Sequence, residues 1–444
     1  MKQPIQLSDH FGYKRLIRFT VPSILMMIVT SIYGVVDGFF ISNFVGKTPF
    51  AAVNFIMPFL MVVGALGFMF GTGGSALIAK TMGEGNEEKS RSIFSLITCA
   101  TILSGVVIAV VSILFLRPIA SFLGAEGSML DDCVIYGRII LIALPFLMVQ
   151  YAFSSLMVTA EKPKLGLIVT IIAGVTNFIG DILFIVVLKW GVPGAALATA
   201  LGQIVGGVIP LVYFARKNSS KLRLGKPKWD SKALLRTCIN GSSELMSNIS
   251  MSIVGMLYNA QLLKYAGENG LAAYGTIMYV NFIFISFFIG YSVGVAPVIS
   301  YHFGAANRSE LKGLLKKSGV LVIGASVIMF AAATLLAVPL ANIYVGYDPE
   351  LLDMTVHAFQ IYAYSFLFAG SAIFGSAFFT ALNDGLTSAL ISFLRTLVFQ
   401  CAAVMLLPLI WELDGIWMSI IAAEFLAVVV TLIFLGAKRK KYDY

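Results

Sequence analysis

Twelve long apolar stretches alternate with polar connections along the chain. A helix that crosses the hydrocarbon core of a bilayer needs about 20 mostly apolar residues, and each stretch reaches that length. The pattern therefore predicts an all-α membrane protein with twelve transmembrane helices. Their expected limits are 16–42, 51–80, 93–116, 134–158, 165–188, 193–214, 237–263, 272–302, 318–338, 354–379, 386–410 and 414–437.

The composition agrees with membrane surroundings. Of the 444 residues, 59% are hydrophobic and 12% are charged, which is about half the charged fraction of a soluble domain. The net charge of +9 lies in the connections, without interleaved aromatic residues, so it does not indicate nucleic-acid binding. The first apolar run, from about Leu16, is too long for a signal peptide and is expected to be the first spanning helix.

Basic residues are distributed unequally between the two sides of the predicted membrane domain. With twelve spans, both termini and every second connection share one side, which receives 25 of the 31 Lys and Arg residues. Lys and Arg are enriched in cytoplasmic connections, so both termini are predicted to be cytoplasmic in a bacterial or archaeal cell membrane. The opposite side receives Lys47, Arg117, Arg138, Lys189 and Lys264.

The two halves of the chain repeat each other at a constant offset of 221 residues. Each half has six spans, an even number, so both halves begin on the same side of the membrane and the repeat is parallel. Such repeats are related by a pseudo-twofold axis along the membrane normal and commonly have a cavity between the halves. The expected organisation is a lobe over 1–214, a basic linker over 215–236 and a lobe over 237–444. Matching pairs include Gly46/Gly267, Gly73/Gly294, Gly83/Gly304, Asn86/Asn307 and Pro118/Pro339.

Five ionisable side chains are expected inside spans, where they are costly and therefore candidates for function. Burial and a like-charged neighbour favour the protonated form of a carboxyl group, and the same oxygens can bind a hard cation. The role of one of the five, Glu244, stays open. The five are Asp37, Asp181, Glu244, Arg395 and Glu424.

A cation-coupling site for H⁺ or Na⁺ is predicted in the first lobe. Asp37 lies in the first span, Asn177 and Asp181 lie one turn apart in the fifth, and Thr199 lies in the sixth. The second lobe lacks this site, because the equivalent positions hold Tyr258, Val398, Ala402 and Ile420. Arg395 and Glu424 are predicted to form a structural ion pair. Candidate residues of the substrate cavity are Tyr33, Met26, Gln150 and Tyr258.

Motifs for other chemistry are incomplete, so the chain is not expected to be an enzyme or to hold a cofactor. Gly46-Lys47-Thr48 resembles the end of a phosphate loop, but position 41, where the earlier glycine is required, holds Ile41. The histidines His10, His302 and His357 are scattered, so no metal site is expected.

The sequence resembles the multidrug and toxic compound extrusion (MATE) family over nearly the whole chain. The resemblance rests on twelve spans in two parallel halves, on the run from Val35 to Ile41, and on a Gly-x9-Gly-x2-Asn element that closes the second helix of each half. Glycine suits close helix contact and helix ends, so this element is interpreted as structural.

Within that family, the chain is similar to the branch of DNA-damage-inducible and staphylococcal-type drug exporters. Their first-lobe Asp, Asn, Asp and Thr are matched residue by residue by the predicted coupling site. The resemblance implies coupling to proton or sodium entry and export of lipophilic cations. The vibrio-type branch has acids in the seventh and tenth helices, whereas this chain has Met251 near the first of these positions and no acid in its tenth span.

The preferred hypothesis is a secondary active multidrug exporter of lipophilic organic cations, working by antiport with protons or sodium through alternating access. The alternative is a flippase for a lipid-linked saccharide precursor, whose anionic pyrophosphate would favour several basic residues in the cavity; only Arg395 is embedded. A structural or receptor-like protein is disfavoured by the embedded acids and the repeat. The expected partners are small cationic substrates and the bilayer, without nucleic acid, and the chain is expected to be monomeric.

Overall fold

The structure, a computed structural model, describes residues 5–444, apart from the side chain of Lys47. Regular structure in this range is helical throughout. The helices are α1 (Tyr13–Val45), α2 (Lys47–Gly83), α3 (Glu87–Leu123), α4 (Gly127–Thr159), α5 (Pro163–Val187), α6 (Gly191–Ala215), α7 (231–266), α8 (268–304), α9 (Arg308–Val345), α10 (Pro349–Ala363 with Phe366–Ala381), α11 (Gly385–Leu406) and α12 (Pro408–Tyr442).

Three helical segments are interrupted: one at Gly267, one between Ala363 and Phe366, and one at Trp411 and Glu412. The first two interruptions decide the number of spans. The segment Ser231–Gly304 is helical over 74 residues but is broken at Gly267; unbroken, it would measure about 110 Å, far more than a bilayer. The two parts of α10 meet at an angle of 47°. Counting the broken segment as two spans and the bent pair as one gives the twelve spans that the apolar pattern predicts.

The turn between the first two helices of each lobe requires glycine. Gly46 has φ 126° and ψ 172°, and its repeat partner Gly267 has φ 60° and ψ −147°. This part of conformational space is essentially restricted to glycine. The match between the two halves at this position therefore has a backbone cause.

The repeated asparagines begin the third helix of each lobe. Asn86 Oδ1 accepts from the N–H of Lys89 at 3.0 Å, and Asn307 Oδ1 accepts from the N–H of Glu310 at 3.1 Å. An N-cap of this kind satisfies one of the free N–H groups at a helix start. These residues therefore have the structural role that the sequence suggests.

The connection between the lobes is shorter than the sequence predicts. Helix α6 ends at Ala215 and α7 begins at Ser231, so the predicted second-lobe boundary at 237 lies inside α7. The reason is local: Asp230 Oδ1 accepts from the N–H of Ala233 at 3.0 Å and caps the helix before its apolar part begins.

Residues 5–12 and the C-terminal residues lie at the same end of the bundle, which we call the terminal end. Asp443 pairs with Arg308, 2.7 Å away, at the start of α9. Residues 5–12 form an N-terminal strap that joins the two lobes there. Along it, the N–H of Leu7 donates to Glu161 in the first lobe and the N–H of Phe11 donates to Glu310 in the second, both at 2.8 Å.

Glycines bring the lobes into close contact at the terminal end. A Cβ added to Gly83 of α2 would lie 2.0 Å from the carbonyl oxygen of Tyr301, and one added to its repeat partner Gly304 of α8 would lie 2.0 Å from that of Lys80. Backbones can approach this closely only where side chains are absent. Nearer the middle of the bundle, Ser31 of α1 hydrogen-bonds Ser286 of α8. The lobes are therefore closed together at the terminal end.

Candidate functional site

Three of the four predicted coupling residues form one hydrogen-bonded group between α1, α5 and α6. The hydroxyl of Thr199 donates to Asp37 Oδ1 at 3.1 Å, and Asn177 Nδ2 lies 3.5 Å from the same oxygen. Thr199 Oγ1 also lies 3.2 Å from the carbonyl oxygen of Ala195. The threonine hydroxyl thus has a second acceptor within its own helix, and it keeps a partner if Asp37 becomes neutral.

The fourth residue, Asp181, is the least satisfied acid of the site. It is fully buried at 0% exposure, and neither carboxyl oxygen has a hydrogen-bond partner within residues 5–444. Asp37 is also buried, at 5% exposure, and lies close enough to interact with Asp181 electrostatically. An ionised carboxylate without partners is very costly in such surroundings. Asp181 therefore needs a bound proton or a cation to be stable there.

Tyr136 of α4 belongs to the same group and was not predicted. Its side chain is fully buried, and its hydroxyl lies beside Thr199 and within electrostatic range of Asp37, Asp181 and Tyr33. A hydroxyl placed beside Thr199 and the two acids can interact with an ion or a protonated acid in the site. One tyrosine in an apolar span carries no signal that would distinguish it from packing residues.

Segments of π-helix adjoin the ionisable groups. One covers Ile41–Val45, one turn after Asp37, and a second covers Asp181–Val187 and begins with the acid itself. A third, Leu394–Val398, contains Arg395. Such segments widen the helix and occur frequently at functional sites. The side chains in these segments therefore point in directions that differ from those expected for a regular α-helix.

Arg395 and Glu424 form the predicted ion pair between α11 and α12. Arg395 Nε lies 2.8 Å and 3.0 Å from the two oxygens of Glu424, and both side chains are largely buried. Glu244 of α7 lies within electrostatic range of Arg395. Among the described side chains, however, none forms an ion pair or hydrogen bond with the Glu244 carboxylate.

The side chains of Arg395, Glu424 and Glu244 line a cavity of about 240 Å³ between the lobes. Most of its wall belongs to the second lobe, and Thr72, Ser75 and Ser155 complete it from the first. Tyr258, predicted as a cavity residue, lies in this wall.

The other predicted cavity residues belong to the first lobe and lie elsewhere. Met26 is buried, and its sulfur would lie 3.3 Å from a Cβ added to Gly166 of α5, so it packs between helices. Gln150 packs closely against Gly206 of α6. Tyr33 lies near Asp37, on the same helix.

Comparisons with known proteins agree with this architecture. The MatE family model matches residues 22–183 and 245–406, one stretch in each lobe. Multidrug export protein MepA of Staphylococcus haemolyticus is 25% identical over 439 residues, covering 97% of this chain and 94% of the relative. MepA of Staphylococcus aureus strain MSSA476 is 23% identical over 440 residues, with the same coverage of 97% and 94%.

A solved structure described as the outward-facing conformation of a multidrug resistance MATE family transporter superposes with a TM-score of 0.93. It is 20% identical, and the match covers 100% of this chain and 99% of that one. The fold is thus that of a two-lobed helical membrane transporter. The chain belongs to the MATE family, with MepA-like relatives.

Proposed function

We propose that the protein is a secondary active multidrug exporter that moves lipophilic organic cations out of the cell in exchange for protons or sodium ions. Family membership supports a transporter rather than an enzyme. The relatives named as multidrug export proteins align along nearly their whole length. Coupling of export to an ion is supported by Asp181, a fully buried acid without a hydrogen-bond partner within residues 5–444.

The chemistry of the first-lobe site suits a bound H⁺ or Na⁺. Asp181 requires either a proton or a cation, because an isolated carboxylate is unstable when buried. Asp37, Asn177 and Thr199 supply further oxygens next to it, and such oxygens are suitable ligands for a hard cation. A single ion bound here neutralises one of the two carboxyls. A conformational change that exposes the site to the other side of the membrane would release that ion.

The charge of the cavity favours a cationic cargo. Glu244 and Glu424 line it, against the single base Arg395. A cavity lined with an excess of one charge raises the local concentration of ions of the opposite sign. A lipid-linked pyrophosphate is anionic and would need an excess of basic residues in the cavity. The excess of acidic residues therefore counts against the flippase alternative.

Alternating access requires two arrangements of the lobes. The contacts between Gly83, Gly304 and their neighbours close the terminal end, and the distribution of basic residues predicts that this end is cytoplasmic. In that orientation the structure is closed towards the cytoplasm, which suits a state that releases cargo and takes up an ion on the outer side. Release of the ion inside would follow when the terminal end opens. We further propose a monomer as the working unit.

The coupling is tested with inverted membrane vesicles that contain the protein. Uptake of the fluorescent cation ethidium is followed under a proton gradient and, separately, under a sodium gradient. We expect one of the gradients to drive uptake and Asp37→Asn to abolish it, since the amide cannot bind an ion in the same way. The matched control is Asp353→Asn, which changes an exposed acid of α10 and should leave uptake unchanged.

Equal uptake by Asp37→Asn and the wild type, at equal amounts of inserted protein, would refute the role of the first-lobe site. Absence of uptake under both gradients, with folded wild-type protein, would refute antiport of cations and would favour the flippase alternative.

A further inference from the structure

A groove of about 420 Å³ lies on the surface of α6 where that helix ends, at the terminal end of the first lobe. We call it the α6 groove, and its lining residues are Val208, Ile209, Val212, Tyr213, Arg216 and Lys217. They fall into two rows, 208–212–216 and 209–213–217, with a spacing of four residues in each. Residues four apart are neighbours on one helix face, so each row runs from apolar or aromatic side chains to a base.

The length of α6 places the two bases at the boundary between hydrocarbon and water. The helix has 25 residues and is therefore about 37 Å long, slightly more than the hydrocarbon core of a bilayer. Arg216 and Lys217 follow its last residue directly. Tyr213 lies one turn before them, at the depth where tyrosine is enriched in membrane proteins. Val212 is 41% exposed, so the apolar part of the groove is open to the acyl chains of the bilayer.

The two bases of the groove are not neutralised by the protein. Lys221 and Lys228, in the same connection, pair with acids at the start of α3 at 3.6 Å and 3.0 Å. Arg216 and Lys217 are both exposed, and within residues 5–444 neither side chain forms an ion pair. No acidic residue lines the groove. The groove therefore offers two positive charges to an anion from outside the protein.

The internal repeat provides a comparison within the same chain. At the offset of 221 residues, Lys217 corresponds to Lys438, and alanine stands in the place of Arg216. Lys438 is committed to Asp384, with Nζ 2.6 Å from a carboxylate oxygen. The first-lobe counterpart of that acid is Pro163, which has no charge. The second lobe thus neutralises its base internally, whereas the first lobe leaves two bases free at the equivalent place.

We propose that the α6 groove binds one anionic phospholipid of the bilayer, with its phosphate at Arg216 and Lys217 and an acyl chain along Val208 and Val212. Bases at the membrane surface attract anionic lipids, and a guanidinium group binds phosphate oxygens with good geometry. A free phosphate would use the two bases but leave the apolar rows uncovered, so the groove fits a lipid better. This assignment is independent of the cargo and of the coupling ion.

The test is native mass spectrometry of the purified full-length protein, titrated in detergent with phosphatidylglycerol or with zwitterionic phosphatidylcholine. We expect the first phosphatidylglycerol to bind the wild type several-fold more tightly than phosphatidylcholine does. The double variant Arg216→Gln/Lys217→Gln should weaken phosphatidylglycerol binding about tenfold or more and leave phosphatidylcholine binding unchanged. The matched control is Lys226→Gln/Lys232→Gln, which removes two exposed bases outside the groove and should keep wild-type affinity.

A second pair of variants tests the apolar rows without changing charge. Val212→Trp fills the groove and should weaken phosphatidylglycerol binding several-fold, whereas Ile433→Trp, at the equivalent exposed position of the second lobe, should not. Glycerol 3-phosphate, which has the headgroup charge but no acyl chains, should not displace the lipid.

Three results would overturn the assignment to a lipid in this groove. The first is equal affinity of the wild type for the two lipids. The second is wild-type affinity for phosphatidylglycerol in Arg216→Gln/Lys217→Gln or in Val212→Trp, or an equal loss in the matched controls. The third is displacement of the lipid by glycerol 3-phosphate, which would assign the two bases to a free phosphate compound instead.

Discussion

The contact between α2 and α8 offers a way to shift the protein between its two arrangements. Gly304 lies against the backbone of Lys80, where an added Cβ would be 2.0 Å from the carbonyl oxygen. Ordinary contacts begin near 3.4 Å, so in Gly304→Ala the helices must separate by at least about 1.4 Å. The contact joins two lobes, so a small rotation of one lobe relieves the overlap without disturbing either lobe inside.

The cost falls on the state that is closed at the terminal end. Forcing an extra methyl group into a tight contact costs about 1–3 kcal/mol. If the arrangement open at the terminal end lacks this contact, the whole cost becomes a difference between the two states. A difference of that size changes their ratio by roughly 5- to 150-fold. Gly304→Ala should therefore enrich the state that is open at the terminal end.

The populations are measured from distances between two spin labels at the terminal end, one on each lobe. Lys89 of α3 and Ser309 of α9 are exposed and serve as labelling positions, in a background without the four native cysteines. We expect a longer distance to gain population in Gly304→Ala. The control is Gly324→Ala, at a glycine of α9 with nothing within 4 Å of an added Cβ.

Identical distance distributions in Gly304→Ala and the wild type would refute the claim that this contact closes the terminal end. An equal shift in Gly324→Ala would show that the effect arises from alanine substitution in general rather than from the contact between the lobes.

Two further changes test the contacts of the second lobe. Burial alone would raise the pKa of Glu310, but the Phe11 N–H, His10 and Lys317 more than offset it and hold that pKa below its ordinary value. The strap should therefore stay bound above about pH 4.5 and loosen below it. Glu310→Gln should reduce the hydrogen-exchange protection of the Phe11 N–H about tenfold. Unchanged protection in this variant would contradict the role of Glu310. Arg395→Met leaves the charge of Glu424 buried without a partner and should destabilise the protein by about 3–5 kcal/mol in thermal unfolding. Adding Glu424→Leu removes that charge and should recover most of the lost stability. No recovery would contradict an uncompensated charge as the cause.

The fold was predictable because a bilayer requires each spanning helix to have about 20 mostly apolar residues. Twelve apolar stretches of spanning length and a constant repeat offset define the two lobes, and Gly46 and Gly267 mark equivalent turns whose backbone requires glycine. Helix ends were less predictable: the cap at Asp230 starts α7 before its apolar part. Hydropathy detects the membrane-embedded part of a helix, but not its polar extensions.

The site was only partly predictable. Acids are rare inside membrane-spanning helices, so the sequence alone marks Asp37 and Asp181 as candidates. Tyr136 was missed because a tyrosine in an apolar span is ordinary, and only its position next to the acids makes it a member of the site. Residue type suggests Met26 and Gln150 for the cavity, yet they pack against Gly166 and Gly206. Residue type does not reveal which face of a helix meets the cavity.

Coupling through the first-lobe site is tested by measuring the ions that the protein releases when cargo binds. Tetraphenylphosphonium is added to the purified protein in weakly buffered solution, and protons are followed with a pH indicator; a parallel sample preloaded with radioactive sodium reports Na⁺. We expect the wild type to release either protons or Na⁺, and we expect Asp37→Asn to bind the cation but to release neither ion. Binding without release of either ion, or equal release by Asp37→Asn, would contradict coupling through the first-lobe site.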